Sequence, residues 1–330
     1  MIDSLYIAWR YVLYHRIKTL TLAAVIVVIT LLPSVLQKLV DEGEKQLSVR
    51  ADRTPLLIGA KGSALDLVMN NLYFSTHRPN PIAYREAQKI DASGLAEAIP
   101  VIARHRARGF PVIGTTLEYF RFRRLTLHDG RRFGLLGEAV IGAGIARALK
   151  LKAGDRLMTT PTDIFNIAGN YPLRLRIVGV LASSYSPDDQ AVFVDIRTAW
   201  IIDGIGHGHA DLAKIRDPSI VLKREAGKVV ASAKLRIYAE ITAKNVASFH
   251  FHGDRGRFPL TAVLAVPPDR RSEALLRGRY TANKSTVQAI KPSMVIGGLL
   301  RDVFRIKNLL DMAMLLVSLA TLLALVLVFA

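Results

Sequence analysis

Cysteine is absent from the 330 residues, so the chain forms no disulfide and offers no thiolate nucleophile or Cys-based zinc site. The long middle of the chain is therefore not a disulfide-stapled scaffold, and a packed core must hold it. Acidic residues are scarce too, 27 against 45 lysines and arginines, for a net charge of +18. The carboxylates are scattered, and neither GxSxG nor HExxH occurs, so neither an activated nucleophile nor a metal-hydroxide mechanism has a constellation to rest on. Aromatic residues make up 7%, and few interleave with the basic runs as stacking platforms, which disfavours nucleic acid as the partner of this charge. An anionic lipid surface is the better match. These absences name no catalytic, cofactor-binding or metal-ligating residue; the chain is expected to be non-catalytic and to need no cofactor.

Apolar residues, by contrast, reach 51%, and mean hydropathy is +0.26 despite 22% charged residues. They are concentrated at the ends. Residues 19–37 and 312–330 are each runs of 19 without a charge, about 28 Å as helices and long enough to span a bilayer. Before the first run, Leu5, Ala8, Trp9, Val12, Leu13 and Ile17 fall on one side of a helix, with Trp9, Tyr11 and Tyr14 suited to the headgroup layer. A signal peptide would have a shorter charged region and a small-residue cleavage site, which this stretch lacks.

The expected organisation is a cytoplasmic amphipathic interfacial helix at 1–18, a transmembrane helix at 19–40, an extracytoplasmic domain at 41–307 and a second transmembrane helix at 308–330. Arg10, Arg16 and Lys18 precede the first span, and Arg301, Arg305 and Lys307 the second, so orientation rests on the short basic N-terminus being inside. The second span runs to Ala330 without a flanking charge or aromatic anchor. The chain is therefore expected to be cut from a longer membrane protein.

Between the spans, strand signals fall at 55–59, 101–108, 110–114, 156–160, 173–182, 191–195, 259–266 and 286–291. Helix signals fall at 82–90, 94–98, 140–149 and 269–279, and a strand–turn–strand is predicted over 117–133. Helical stretches at 41–49 and 293–307 extend the two spans outward as stiff stalks, with Gly297-Gly298 the one place where stiffness is in question. The class is α+β. Its β-α-β order at 55–108 and again at 259–291 predicts two parts of one layered subdomain, with a β-rich subdomain at about 110–200 inserted between them.

Two glycine-rich stretches imitate ligand loops. Gly59-Ala60-Lys61-Gly62-Ser63 lacks the upstream glycine of a phosphate loop. In Gly142-Ala143-Gly144 the position that must be small in a dinucleotide fold is Arg147, so the stretch reads as a helix start. Four of the eight histidines occur as His207-Gly208-His209, with Asp211 nearby, and His250-Phe251-His252. Residues i and i+2 of an extended chain share a face, so each pair could offer two imidazoles to one ion. Taken pair by pair, the pattern favours a solvated loop at 204–208 and an exposed strand face at 250–252, with no metal site. The runs Arg104-His105-Arg106-Ala107-Arg108 and Arg121-Phe122-Arg123-Arg124 are likewise predicted as wet faces of strands.

Several stretches taken in order resemble one family. These are Leu56-Leu57-Ile58-Gly59-Ala60-Lys61-Gly62-Ser63 after the first stalk; Leu136-Gly137-Glu138-Ala139-Val140-Ile141-Gly142 leading to Ala148-Leu149-Lys150-Leu151-Lys152-Ala153-Gly154-Asp155; Leu175-Arg176-Ile177-Val178-Gly179-Val180-Leu181; and Asp189-Gln190-Ala191-Val192-Phe193-Val194. Set between two spans, they resemble the permease subunits of MacB/FtsX/LolC-type ABC transporters, the type VII or mechanotransmission group. The resemblance implies an outer domain of two subdomains and a cytoplasmic ABC ATPase as a separate partner. It also implies a second permease copy or homologue and, among further partners, a periplasmic adaptor or substrate protein. Third and fourth spans, which the resemblance implies, are not in this sequence. The competing class is a two-span sensor whose outer domain binds a ligand; an anchored extracytoplasmic enzyme has no catalytic constellation to support it.

Overall fold

The computed structural model describes residues 2–161, 172–209, 221–225, 228–231, 238–281 and 285–329. The chain divides into a helical unit, Met1–Arg50 with Ile296–Ala330, and a globular unit, Ala51–Val295.

In the helical unit, α1 (Ile2–Tyr14) and α2 (Arg16–Asp52) are separated by a single turn residue, His15. Helical hydrogen bonds cross that residue, His15 N–H to the Tyr11 carbonyl at 2.9 Å and Thr19 N–H to the His15 carbonyl at 3.0 Å. Pro33 lies inside α2 without ending it. Both α2 and the C-terminal helix are long and apolar enough to cross a membrane. Their hydroxyls bond to their own backbones: Thr30 to the Ile26 carbonyl at 2.9 Å, Ser318 to Met314 at 2.8 Å and Thr321 to Val317 at 2.7 Å. A polar group satisfied within its own helix costs little in lipid, so these residues do not by themselves make an intramembrane site.

Among the described residues of the globular unit, ten strands form the main sheet. In chain order they are β1 (Leu56–Ala60), β2 (Glu97–Ala107), β3 (Phe110–Thr115), β4 (Leu127–Gly130), β5 (Glu138–Ile141), β6 (Arg156–Met158), β7 (Arg174–Leu181), β8 (Val192–Asp195), β9 (Ala262–Val266) and β10 (Val287–Ile290). The spatial order is β10-β1-β9-β2-β3-β8-β5-β7-β4, with β6 on the flank of β7. Pairs β3–β8 and β5–β7 are parallel and the others antiparallel.

Strand β2 belongs to both groups that the sequence order distinguishes. Residues 97–101 pair with β9 and residues 102–107 with β3, the latter pairing carrying a register shift between Ile102 and His105. The β2–β3 turn uses Arg108 and Gly109 at φ of 49° and 87°, the doubly left-handed geometry of a tight hairpin.

Of the helices in this unit, α3 (Ala64–Tyr73), α4 (Arg85–Ala92) and α5 (Leu117–Phe122) come first in the chain. They are followed by α6 (Ala143–Leu149), α7 (Ile196–Ile202) and α8 (Arg270–Arg279), after which α9 (Pro292–Phe329) leaves for the helical unit. Trp200 on α7 is 1% exposed and closes one core across both groups of strands. Its ring meets Tyr84 and Phe258 edge-on at 5.1 and 5.0 Å, and its indole N–H donates to the Pro259 carbonyl at 3.0 Å.

Three local expectations are overturned. The predicted helix at 94–98 is a turn running into β2, because Gly94 at φ 65° ends α4 and strand pairing with β9 begins at Glu97. The predicted strand–turn–strand over 117–133 begins with α5: Tyr119 and Phe120, both fully buried, pack on Phe193 at 5.4 Å, and that packing outweighs the strand preference of an aromatic-rich stretch. Of the Arg121–Arg124 run, only Arg121 and Phe122 lie in that helix, and none lies in a strand. In the helix signals at 82–90 and 140–149, the first residues are strand and the helices begin at Arg85 and Ala143.

Candidate functional site

The two histidine pairs come together. Gly206–Gly208 is a short strand rather than a loop, and it pairs antiparallel with Phe249–Phe251, placing His207 directly opposite His250. Beyond that pair, His252 N–H donates to the Ile205 carbonyl at 3.2 Å, so His252 sits one step along, diagonal to His207. Ring centroids are 4.9 Å apart for His207–His250 and His207–His252. They are 4.8 Å for His250–His252, 5.2 Å for His209–His250 and 5.6 Å for His207–His209.

The pleat explains why four imidazoles share one face. Gly206, Gly208, Phe249 and Phe251 occupy the other face, where a Cβ on Gly206 would lie 2.7 Å from the Phe251 ring and one on Gly208 2.5 Å from the Phe249 ring. Each phenyl thus covers a glycine of the neighbouring strand, and Phe251 continues inward to Trp200 and Phe258 at 6.4 and 6.1 Å. A polar residue between two glycines on one strand, facing a polar residue between two aromatics on the other, is forced outward. His207 and His209 are half-buried; His250 and His252 are exposed.

Nitrogen atoms of His207, His209 and His250 all lie within 4.8 Å of one another. His250 Nδ1 is 3.0 Å from the Ser248 carbonyl, an acceptor only, so Nδ1 carries the proton and the Nε2 lone pair is free. Ser248 is itself fixed by its hydroxyl bond to the Asn245 carbonyl at 2.7 Å. Burial, with smaller contributions from His250, His252 and His209, holds His207 below the ordinary histidine range and keeps its ring neutral. Asp211 lies outside the described residues.

The glycine-rich lookalikes have structural explanations. Strand β1 ends at Ala60, and the Ser63 hydroxyl caps α3 by accepting from Asp66 N–H at 3.1 Å. Gly142 and Gly144 are glycine because α6 starts against the 187–190 turn: a Cβ on Gly142 would lie 2.3 Å from the Asp188 carbonyl oxygen and one on Gly144 2.3 Å from Gln190 Nε2.

The Leu136–Ile141 stretch is held by Glu138, which is 3% exposed and accepts from both Arg131 terminal nitrogens and from the Gly134 and Leu135 N–H groups at 3.0 and 3.1 Å. Burial alone would raise this carboxyl; the guanidinium and the two backbone donors outweigh it and hold Glu138 below the ordinary range. In the Arg104–Arg108 run His105 is buried and Arg104 and Arg106 are half-buried; Arg104 and His105 both reach Asp203, at 3.7 and 3.3 Å, and Arg106 donates to the Gly109 and Phe74 carbonyls, so the run is tied into the fold and is not a fully wet strand face.

The family model of the MacB-like periplasmic core domain matches residues 19–239. Among solved structures, the chain is similar to the periplasmic region of MacB from Actinobacillus actinomycetemcomitans, at 10% identity over 74% of this chain and 91% of that one, with a TM-score of 0.41. It is similar to the extracellular domain of the noncanonic ABC-type transporter YknZ from Gram-positive bacteria, at 10% identity over 71% and 98%, with a TM-score of 0.39. A domain of a permease protein from Porphyromonas gingivalis matches at 13% identity over 71% and 85%, with a TM-score of 0.30. No curated protein matches the chain.

Proposed function

The chain belongs to the MacB-like periplasmic core domain family, and from that premise we propose that it is the permease subunit of an ABC transporter, relaying ATP-driven conformational change from a cytoplasmic ATPase to the extracytoplasmic unit. The reading is carried by the continuity of α2 and α9. They contain 37 and 38 residues, about 55 Å each at ~1.5 Å per residue, against about 30 Å of hydrocarbon. Each span therefore has roughly 25 Å of helix left over to act as a stalk. Three residues, 53–55, separate α2 from β1, and Lys291 alone separates β10 from α9. Linkers this short transmit displacement instead of absorbing it. Gly297-Gly298 lie within α9, so the helix continues through the place where a hinge would be cheapest.

In this reading residues 1–18 face the cytoplasm, the amphipathic segment rests at the interface, and two permease copies work together. The work is export of a substrate, or its extraction from the membrane. The spans act as pushrods and enclose no path, in agreement with the Thr30, Ser318 and Thr321 hydroxyls, which bond to their own helices.

The test uses the absence of native cysteine. A single nitroxide at Glu44 or at Val303, in the full-length permease reconstituted with its ATPase, reports the separation between copies. ATP binding is expected to change that separation by at least 5 Å, roughly one helical turn, and hydrolysis to restore it. An unchanged separation at both stalk positions, with ATP hydrolysis intact, would sink the relay.

A further inference from the structure

We propose that His207, His209, His250 and His252 form a binding site for a divalent transition ion of the zinc type, built across the two short strands of the globular unit. The inference stands apart from the relay reading, because it rests on the geometry of this ribbon alone.

Three features carry it. The first is convergence from distant sequence: two His-x-His pairs more than forty residues apart are aligned so that His207 faces His250 and the flanking imidazoles fall diagonally around them. Tetrahedral zinc holds its nitrogens at ~2.0–2.1 Å, which puts two ligand atoms about 3.4 Å apart. The nitrogens of His207, His209 and His250 already lie within 4.8 Å of one another. Small side-chain torsions of His207 and His209 can close the remaining gap while His250 keeps its contact with Ser248.

The second is the outer contact of His250. Its Nδ1–H donates to the Ser248 carbonyl, the arrangement that fixes the tautomer of a metal-ligating histidine and leaves Nε2 directed to the ion. The third is the anchoring of the opposite face. Phe251 seats the ribbon against Trp200 and Phe258, and Gly206 and Gly208 leave the space that the two phenyl rings fill. The imidazoles are thus presented from a seated ribbon, which lowers the ordering cost of binding.

The donor set selects the ion. Four imidazoles with no thiolate suit Zn2+, Cu2+ or Ni2+, whereas Ca2+ and Mg2+ require oxygen ligands. Three histidines make the first set, either 207, 209 and 250 or 207, 250 and 252. The fourth position is left to the remaining histidine, to water or to a ligand delivered from outside.

The experiment uses the full chain without a polyhistidine tag, purified in detergent and stripped with EDTA. On addition of ZnCl2 and desalting, one zinc per chain is expected by elemental analysis, with a rise in Tm that CaCl2 does not reproduce. Co2+ in place of zinc should give the visible absorption of a tetrahedral nitrogen site. His207→Ala and His250→Ala should each weaken zinc binding at least tenfold and abolish the Tm rise, while His128→Ala, outside the cluster, should leave both unchanged. Comparing His209→Ala with His252→Ala identifies the third ligand. The proposal is overturned if zinc stays far below one per chain, if the His207→Ala/His250→Ala double variant binds zinc as the native chain does, or if the cobalt form shows no tetrahedral bands. The cobalt spectrum is read on the native protein, so the proposal remains testable even if a variant folds poorly.

Discussion

Leucine, isoleucine and valine face two different solvents in this chain. On α2, Val25, Ile26, Val27 and Val28 are 38–59% exposed, whereas Leu56, Leu57 and Ile58, further along the same chain, are fully buried in β1. The same residue types stabilise the helical unit by leaving water for lipid and the globular unit by leaving water for one another. In the helices the backbone is satisfied within each segment, so packing partners are optional. In the sheet each strand depends on its neighbours, so one missing side chain is felt throughout the core. Damage to one unit should therefore register in a measurement that damage to the other leaves untouched.

The largest expected effect is in the globular unit. Trp200→Ala removes the ring that joins Tyr84 and Phe258 and leaves the Pro259 carbonyl without its donor. The cost should be about 3–5 kcal/mol, lowering the Tm of this unit by roughly 10 °C, read by thermal denaturation of the detergent-purified chain, with membrane integration unchanged. Equal melting of variant and native protein would show that the two strand groups do not share a core.

The converse change is smaller and appears elsewhere. Ile26→Arg places a charge on an exposed position of α2 and should cost about 2.5–3.5 kcal/mol in membrane insertion, measured as the fraction extracted by alkaline carbonate. The globular unit should melt as before. A large loss of Tm with normal insertion would mean that α2 is a core helix and not a span.

The smallest effect sharpens the comparison within the globular unit. Glu138 is held below the ordinary carboxylate range, so it binds protons less readily folded than unfolded. Its contribution is complete above the unfolded value of about 4.3 and is lost as pH falls through the folded value. The native chain should lose Tm on acidification below about pH 4. Glu138→Gln should start lower at pH 7 and show a shallower fall, the difference being a few degrees because Arg131 is largely solvated. Parallel pH profiles for the two proteins would assign the ion pair no part in acid stability.

Where the chain carried strong periodic or compositional signals, the structure was readable in advance. Strands β1, β3, β7 and β8 and helix α8 all lie within a few residues of their predicted places, because each bears an apolar pattern with a turn or cap beside it, as Asp269 caps α8 by accepting from Ser272 N–H at 2.7 Å. Residues 94–98 and 117–122 were misread because their fate depends on partners distant in sequence, β9 for the first and Phe193 for the second. The same limit hid the histidine site. Each His-x-His pair was visible, but its partner was not, since register between strands more than forty residues apart is set by tertiary packing. One signal was available: alternating glycine and histidine in one segment is the complement of alternating phenylalanine and histidine in the other, as two strands need when phenyl rings cover glycines across the ribbon.

By itself the sequence determined that there would be two membrane-length apolar helices, a cysteine-free basic α+β unit between them and no nucleotide or nucleophile motif, because run length, composition and local periodicity are properties of neighbouring residues. The tertiary structure alone decided that β2 would serve two groups of strands, that Gly142 and Gly144 are required by the 187–190 turn, and that four histidines would share one face. Each of these depends on which distant surfaces meet when apolar area is buried, a choice made by the whole chain at once and written in no single segment of it.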